Sequence, residues 1–420
     1  MHNTIATYSS NFSRQGNITK IGNKSFWLAF CLTFPAVAKI VLPSSLESLL
    51  EIQLAGVPLF LPNLLLFVFF ANTGKNHGDW GLKAIFWLQF LFMMAGFFYN
   101  HYVHQPLAFL LAGNFYYYIL FLGLYSRINN QERIWIGRIF SITMFFLGGQ
   151  VILLGLGVIK GFGAMVVADE VQQYGDFYRV GTTAGASTGT AVHLYMLTAI
   201  SVMLSNSTKW RYFLFVFGFS ATLLTMSRGS ALAFFMYLFF WLYYKTRERR
   251  NRRKLRIIVG SIAALFMLYF AGVFNPLIER MESKVQNEDM FESREDRAET
   301  ALMYYQRADS KLLGVGITNI FRSTEIRHLG YENVAAPHNS YIQTLCEQGI
   351  IGFVLLIQFW LLLIIKVHKN KPILFSILPL LLVIWNTESS VVVLSDFMVS
   401  LSILLMLSLD KDRKNELNLI

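Results

Sequence analysis

The chain has 420 residues, of which 55% are hydrophobic, 15% aromatic and only 15% charged, with a net charge of +11. A soluble domain carries about 25% charged residues, so this composition excludes a disordered chain, a disulfide scaffold and an ordinary soluble enzyme. Apolar runs long enough to span a bilayer recur along the chain. The reading is an all-α polytopic membrane protein, because backbone groups in lipid must be satisfied within each segment. The positive charge fits a cytoplasmic bias of Lys and Arg. Nucleic-acid binding would need a basic face with base-reading side chains, and none is seen. Cys31 and Cys346 lie in apolar runs and read as packing residues.

Residues 1–25 form a polar N-terminal tail with Arg14, Lys20 and Lys24. The next apolar run has no small-residue cleavage site, so it reads as a retained first span. About twelve transmembrane helices are predicted, over 26–43, 53–71, 82–99, 107–125, 134–157, 184–204, 210–225, 229–244, 257–274, 340–365, 372–386 and 389–409. An alternative reading makes the last two one broken hairpin, since only Asn386, Thr387 and Glu388 separate them. The chain thus divides into helices over 26–274, a large outer loop over 275–338, helices over 339–409 and a tail over 410–420.

Lys and Arg set the orientation. With the N-terminus in the cytoplasm, the basic block from Lys245 to Arg256 is cytoplasmic, as are both termini. That block reads as a topogenic anchor, with anionic-lipid binding as the lesser reading. Two outside loops are long, 158–183 and 275–338. In the second, Ala298, Ala301, Leu302 and Tyr305 recur at helical spacing, which predicts short amphipathic helices lying over the outer membrane surface. No internal repeat of the inverted-transporter kind is visible.

Lys160, Arg179 and Arg228 are exceptions to the inside bias; Arg228 sits at a very tight turn between two spans. The long loop adds Arg294 and Arg297, beside Glu292, Glu295 and Asp296. A planar, permanently charged guanidinium matches phosphate oxygens, so arginines converging at the outer face suggest a diphosphate site. The bland alternative for each is a surface cation or a structural ion pair. His338 falls where the long loop enters a helix, with water on one side and protein on the other, a setting suited to a general base. Asn339 is a candidate helix cap. Glu347 lies about 13 Å further along the helix, and reads as a structural partner inside the membrane. Gly349 and Gly352 permit close helix contact.

The run His338-Asn339, nine residues, then Gly349-x-x-Gly352 resembles the signature of the bacterial O-antigen ligase and O-antigen polymerase superfamily. Leu313-Gly314-Val315-Gly316 resembles the glycine-rich segment that precedes that histidine in the family. Ser227-Arg228-Gly229 resembles its Ser-Arg-Gly turn, Arg179 with Gly181-Thr182 its earlier arginine, and Arg297 the arginine of its large periplasmic loop. The spacing there departs by about one residue from the family pattern, so Arg294 is a rival for that role.

The resemblance implies a metal-independent, inverting glycosyl transfer at the periplasmic face of the bacterial inner membrane, with no cofactor. The donor would be a glycan on undecaprenyl diphosphate. The acceptor would be a sugar of the lipid A core in a ligase, or a lipid-linked repeat unit in a polymerase, and the two remain open. The diphosphate leaves as a stabilised anion, so cationic clamps supply much of the catalysis. The chain shows no P-loop, in line with a reaction that uses no nucleotide. The competing class is a transporter or flippase of lipid-linked saccharides, which would place charge and broken helices near the membrane midplane.

Overall fold

The computed structural model describes residues 23–42, 49–54, 57–75, 80–99, 126–159, 172–174, 177–179, 181–182, 187–205, 207–248, 298–303, 305–316, 339–368 and 371–384. The predicted spans 107–125, 257–274 and 389–409 and the C-terminal tail lie outside the described residues. The same holds for nearly all of the N-terminal tail.

The described residues are mostly helical. In chain order the helices are α1 (Asn23–Val41), α2 (Leu64–Asn72), α3 (Trp80–Tyr99), α4 (Asn130–Gly155), α5 (Ser187–Leu204), α6 (Thr208–Leu224), α7 (Arg228–Glu248), α8 (Ser340–Val367) and α9 (Lys371–Pro379). Interspersed are short strands β1 (Glu51–Leu54), β2 (Val57–Phe60), β3 (Gly74–Lys75), β4 (Ser126–Arg127), β5 (Gln172–Tyr174) and β6 (Phe177–Arg179). They pair antiparallel as β1–β2, β3–β4 and β5–β6.

Among the described residues two helices, Asn130–Gly155 and Ser340–Val367, are long and apolar enough to cross a membrane. The distribution of side chains also fits a helical membrane protein. Ile142, Phe146 and Leu153 of α4, Phe213 and Val216 of α6, and Leu361 and Ile365 of α8 are exposed. Gln150, Thr198, Ser201, Thr222, Gln343 and Glu347 are buried. Water would drive the reverse arrangement; lipid does not oppose this one.

Local chemistry sets the helix starts. Asn129 caps α4, accepting from the Glu132 amide at 2.8 Å while its own amide donates to Glu132 at 2.9 Å. Ser207 caps α6 through the Trp210 amide.

The structure corrects two spans. Residues 53–71 are not one helix: the segment opens as the β1–β2 hairpin, turns at Leu61–Asn63 and becomes helical only at Leu64. Pro58 and Pro62 are the cause, since each removes an amide donor that a continuous helix needs. Pro62 sits instead at the start of the tight turn, where that donor is not required. The remaining helix has 9 residues, about 13 Å, too short to cross the roughly 30 Å hydrocarbon core alone. Within 372–386, α9 ends at Pro379 and widens into a π-helical turn over Leu380–Ile384. Three short antiparallel strand pairs add to this mostly helical structure.

Two apolar clusters hold the helices together. One joins α1, α2, α4, α5 and α6 through residues such as Leu32, Leu66, Phe140, Leu197 and Leu214. The other joins α3, α5, α7, α8 and α9 through Leu82, Tyr195, Phe234, Phe359 and Ile377. Helices α5 and α6 approach where Gly218 meets Thr198, and α4 and α6 where Gly148 meets Phe217. Such small-residue contacts are how helices pack closely in lipid. Tyr195 fastens α5 to α9 by donating to the Ser376 carbonyl at 2.8 Å.

The contacts sort the helix ends. Ser25 of α1 donates to Gln131 of α4, and Gly137 of α4 lies against Leu204 of α5. The α5–α6 connection is therefore at the same end as the starts of α1 and α4. At the opposite end are the start of α5 and the turn between α6 and α7.

Candidate functional site

The α6–α7 turn carries Arg228. Thr225 ends α6, and its hydroxyl donates to the Thr222 carbonyl at 2.7 Å. Met226 follows with φ of 54°, a left-handed conformation that a non-glycine residue adopts at a cost. Its side chain is buried, which holds the turn in place. The Ser227 carbonyl accepts the first helical bond of α7, from the Ala231 amide at 3.0 Å, and its hydroxyl donates to that of Ser230 at 3.3 Å. Arg228 is thus the first residue of α7 and is half-buried. A helix start offers free amides and a positive dipole end, so this cation stands where the backbone already favours an anion.

Arg179 is the last residue of β6, which packs against α4 and α6. Just beyond it, the Thr182 hydroxyl is hydrogen-bonded to that of Thr190 in α5 at 2.9 Å, both buried. Thr190 and Met226 lie about equally far along α5 and α6 from the Gly218–Thr198 contact. The strand bearing Arg179 and the turn bearing Arg228 therefore share one end of the bundle.

Asn339 does cap a helix: its side-chain oxygen accepts from the Tyr341 and Ile342 amides at 3.0 and 3.1 Å. Within the first turn, the Tyr341 hydroxyl donates to the Leu381 carbonyl of the π-helical turn at 2.9 Å. That turn packs against α7, so the start of α8 belongs to the same cluster as the helix that Arg228 opens. Glu347 is buried and accepts from the Gln343 amide group at 3.0 Å, four residues earlier on the same face.

The glycines do more than allow close contact. Helix α8 is broken at Gly349, whose φ is 67° and ψ −171°. The break uncouples the carbonyls of Cys346 and Glu347 from the amides of Ile350 and Ile351. Residues 311–316 occupy the gap. The Val315 and Gly316 amides donate to Cys346 and Glu347 at 2.9 and 3.0 Å, and the Ile350 and Ile351 amides donate to Lys311 and Leu312 at 3.1 and 3.2 Å. A buried backbone group left unpaired costs about 1–3 kcal/mol, so this pairing stabilises an otherwise unfavourable break. Gly352 packs against its own helix, at Gln348.

The helical residues 298–303 and 305–306 lead into this segment. Ala301 is buried with Val315 and Cys346, and Leu302, Tyr305, Ala308 and Ile342 flank them. The Lys311 ammonium caps the end of the stretch on the carbonyls of Tyr305, Gln306 and Ala308. Burial pushes the Tyr305 phenol up, with the nearby Cys346 adding to the shift. Tyr305 therefore remains the donor in its 2.7 Å bond to the Lys311 carbonyl. Residues 311–316 thus run alongside the Cys346–Ile351 stretch of α8.

His338, Arg294 and Arg297 lie outside the described residues. Sequence reasoning missed the hydroxyl pair Thr182–Thr190, the strained Met226 and the hydrogen bond from Tyr341. The Gly181-Thr182 dipeptide and the tight Thr225–Ser227 connection were the available signals for the first two.

Residues 213–357 match the family model described as O-antigen ligase. The matched stretch contains Arg228, Arg294, Arg297, Gly314, Gly316, His338, Asn339, Glu347, Gly349 and Gly352, and leaves Arg179 outside. No curated protein matches the chain.

Proposed function

Taking the O-antigen ligase and polymerase superfamily as the family of residues 213–357, we propose that this membrane protein transfers a glycan from undecaprenyl diphosphate to an acceptor sugar hydroxyl. The transfer is inverting, needs no metal and takes place at the periplasmic face of the bacterial inner membrane. The end of the bundle with Arg179, Arg228 and Asn339 faces the periplasm, and both chain termini are cytoplasmic.

The family match is the observation that carries this reading, and the Arg228 turn supports it. The donor's diphosphate sits at the start of α7 under Arg228, with Arg179 and Arg297, or Arg294 in its place, as further cations. Charge building on the leaving diphosphate meets fixed donors, which is where electrostatic catalysis is largest. His338, one residue before the Asn339 cap, takes the proton from the acceptor hydroxyl as that oxygen attacks the anomeric carbon. General-base assistance of this kind is worth about 10²–10⁴-fold. The acceptor is a lipid A core sugar or a lipid-linked repeat unit.

The flippase alternative has one feature in its favour, the broken helix α8. Transporters leave the backbone groups of such breaks open to substrate or ions. Here segment 311–316 occupies them, which favours the enzyme.

The test uses purified protein, a lipid-linked repeat unit as donor, and lipid A core or a second repeat unit as acceptor, followed on a gel. Product on lipid A core identifies a ligase, and a ladder on the lipid carrier a polymerase. His338→Ala is expected to lose at least 10²-fold in rate. Lipid movement across vesicles without any glycosylated product would establish the flippase instead.

A further inference from the structure

The outer loop connects to the membrane body through more than its two ends. Segment 311–316 replaces two rungs of the α8 hydrogen-bond ladder, donating twice and accepting twice. Gly314 and Gly349 make this possible reciprocally. A Cβ on Gly349 would lie 2.3 Å from the Leu312 carbonyl oxygen and 2.5 Å from the Gly314 amide nitrogen. A Cβ on Gly314 would lie 2.5 Å from both the Cys346 carbonyl oxygen and the Gly349 amide nitrogen. Both residues have positive φ, 73° and 67°, so neither the space nor the backbone conformation admits another residue. The Gly314 amide is itself tied to the Ser310 carbonyl at 2.9 Å, below the Lys311 cap.

We propose that residues 310–316 are a permanently seated strap, and that Gly314 and Gly349 are positioning residues for the transfer reaction. The strap joins residues 298–303 and 305–308 and the first turns of α8 into one rigid unit through Ala301, Val315, Cys346 and Ile342. Asn339 caps the helix within that unit, and His338 adjoins it in the chain. A strap that opened would leave the carbonyls of the buried Cys346 and Glu347 and the amides of Ile350 and Ile351 without these partners, so it stays closed throughout turnover. The Asn339 cap, to which His338 is joined in the chain, then belongs to a framework that does not move with the substrate. This rests on the glycosyl-transfer reading above.

Two measurements in the full-length protein test it. Leu312 and Ile350 are both exposed beside the paired backbones, while the native Cys31 and Cys346 are buried. In membranes, Leu312→Cys/Ile350→Cys is expected to accept a short reducible thiol cross-linker and to transfer glycan at its unlinked rate. Failure to cross-link, or loss of activity that reductant restores, would show that the strap moves. Gly314→Ala is expected to lower kcat at least tenfold in the folded fraction while the donor KM stays within twofold. Wild-type kcat in that variant would reduce the glycines to packing residues. If the wild-type protein glycosylates neither acceptor, the function reading fails and takes the positioning role with it. The cross-link yield still decides whether the strap is seated.

Discussion

Arg228 occupies a position that a cation does not favour on its own. The first residue of α7 sits at the positive end of the helix dipole, where a like charge costs about 0.3–1 kcal/mol. In the proposed reaction the donor's diphosphate would reverse the balance, because the guanidinium fork supplies two parallel hydrogen bonds that an ammonium cannot. Arg228→Lys is therefore expected to cut glycan transfer by about tenfold or more at unchanged protein level, measured by the gel assay with immunoblotting. Near-normal transfer would remove the diphosphate clamp from the mechanism. Asn339 makes a different kind of contribution, satisfying two amides at the start of α8. Asn339→Ala should lower stability by about 1 kcal/mol, read as a fall in Tm in detergent. The cap was legible because its chemistry is local: a short polar side chain preceding an apolar helix. The Gly314–Gly349 contact was not, because each glycine makes sense only through the other, and they are far apart in the sequence.

At the scale of elements, hydropathy located helices well and failed where apolarity and conformation part company. The run 53–71 is mostly apolar, but Pro58 and Pro62 divide it into a hairpin and a short helix. An apolar run by itself does not distinguish strand from helix, and the prolines were the discriminating signal. The α5–α6 pair shows what hydropathy cannot reveal at all, namely which faces meet. A Cβ on Gly218 would lie 2.0 Å from the Thr198 hydroxyl oxygen, and that hydroxyl is already bonded to the Leu194 carbonyl at 2.6 Å. Gly218→Ala is expected to destabilise the protein by about 1–3 kcal/mol through overpacking. Adding Thr198→Ala removes the obstructing atoms and should recover most of the loss. Thermal unfolding of the single and double variants decides it, and a double variant no better than Gly218→Ala would mean that the helices do not meet there.

For the whole molecule, the central question is which end of the bundle faces the cytoplasm. Lys and Arg in the loops give one answer, and the contacts agree on which ends belong together: the starts of α1 and α4 lie with the α5–α6 connection. Agreement on grouping does not fix the sign. Thr208 opens α6 at one end, and Leu156 follows α4 at the other; both are exposed. The native cysteines are buried, so single cysteines at these positions report with little background. Leu156→Cys should react with a membrane-impermeant maleimide in spheroplasts, and Thr208→Cys only in inverted vesicles. The opposite pattern would put Arg179, Arg228 and Asn339 in the cytoplasm. A lipid-linked donor presented at the periplasmic face could not then reach them, and the transfer reaction proposed here would fail on geometry alone, whatever the chemistry of its residues.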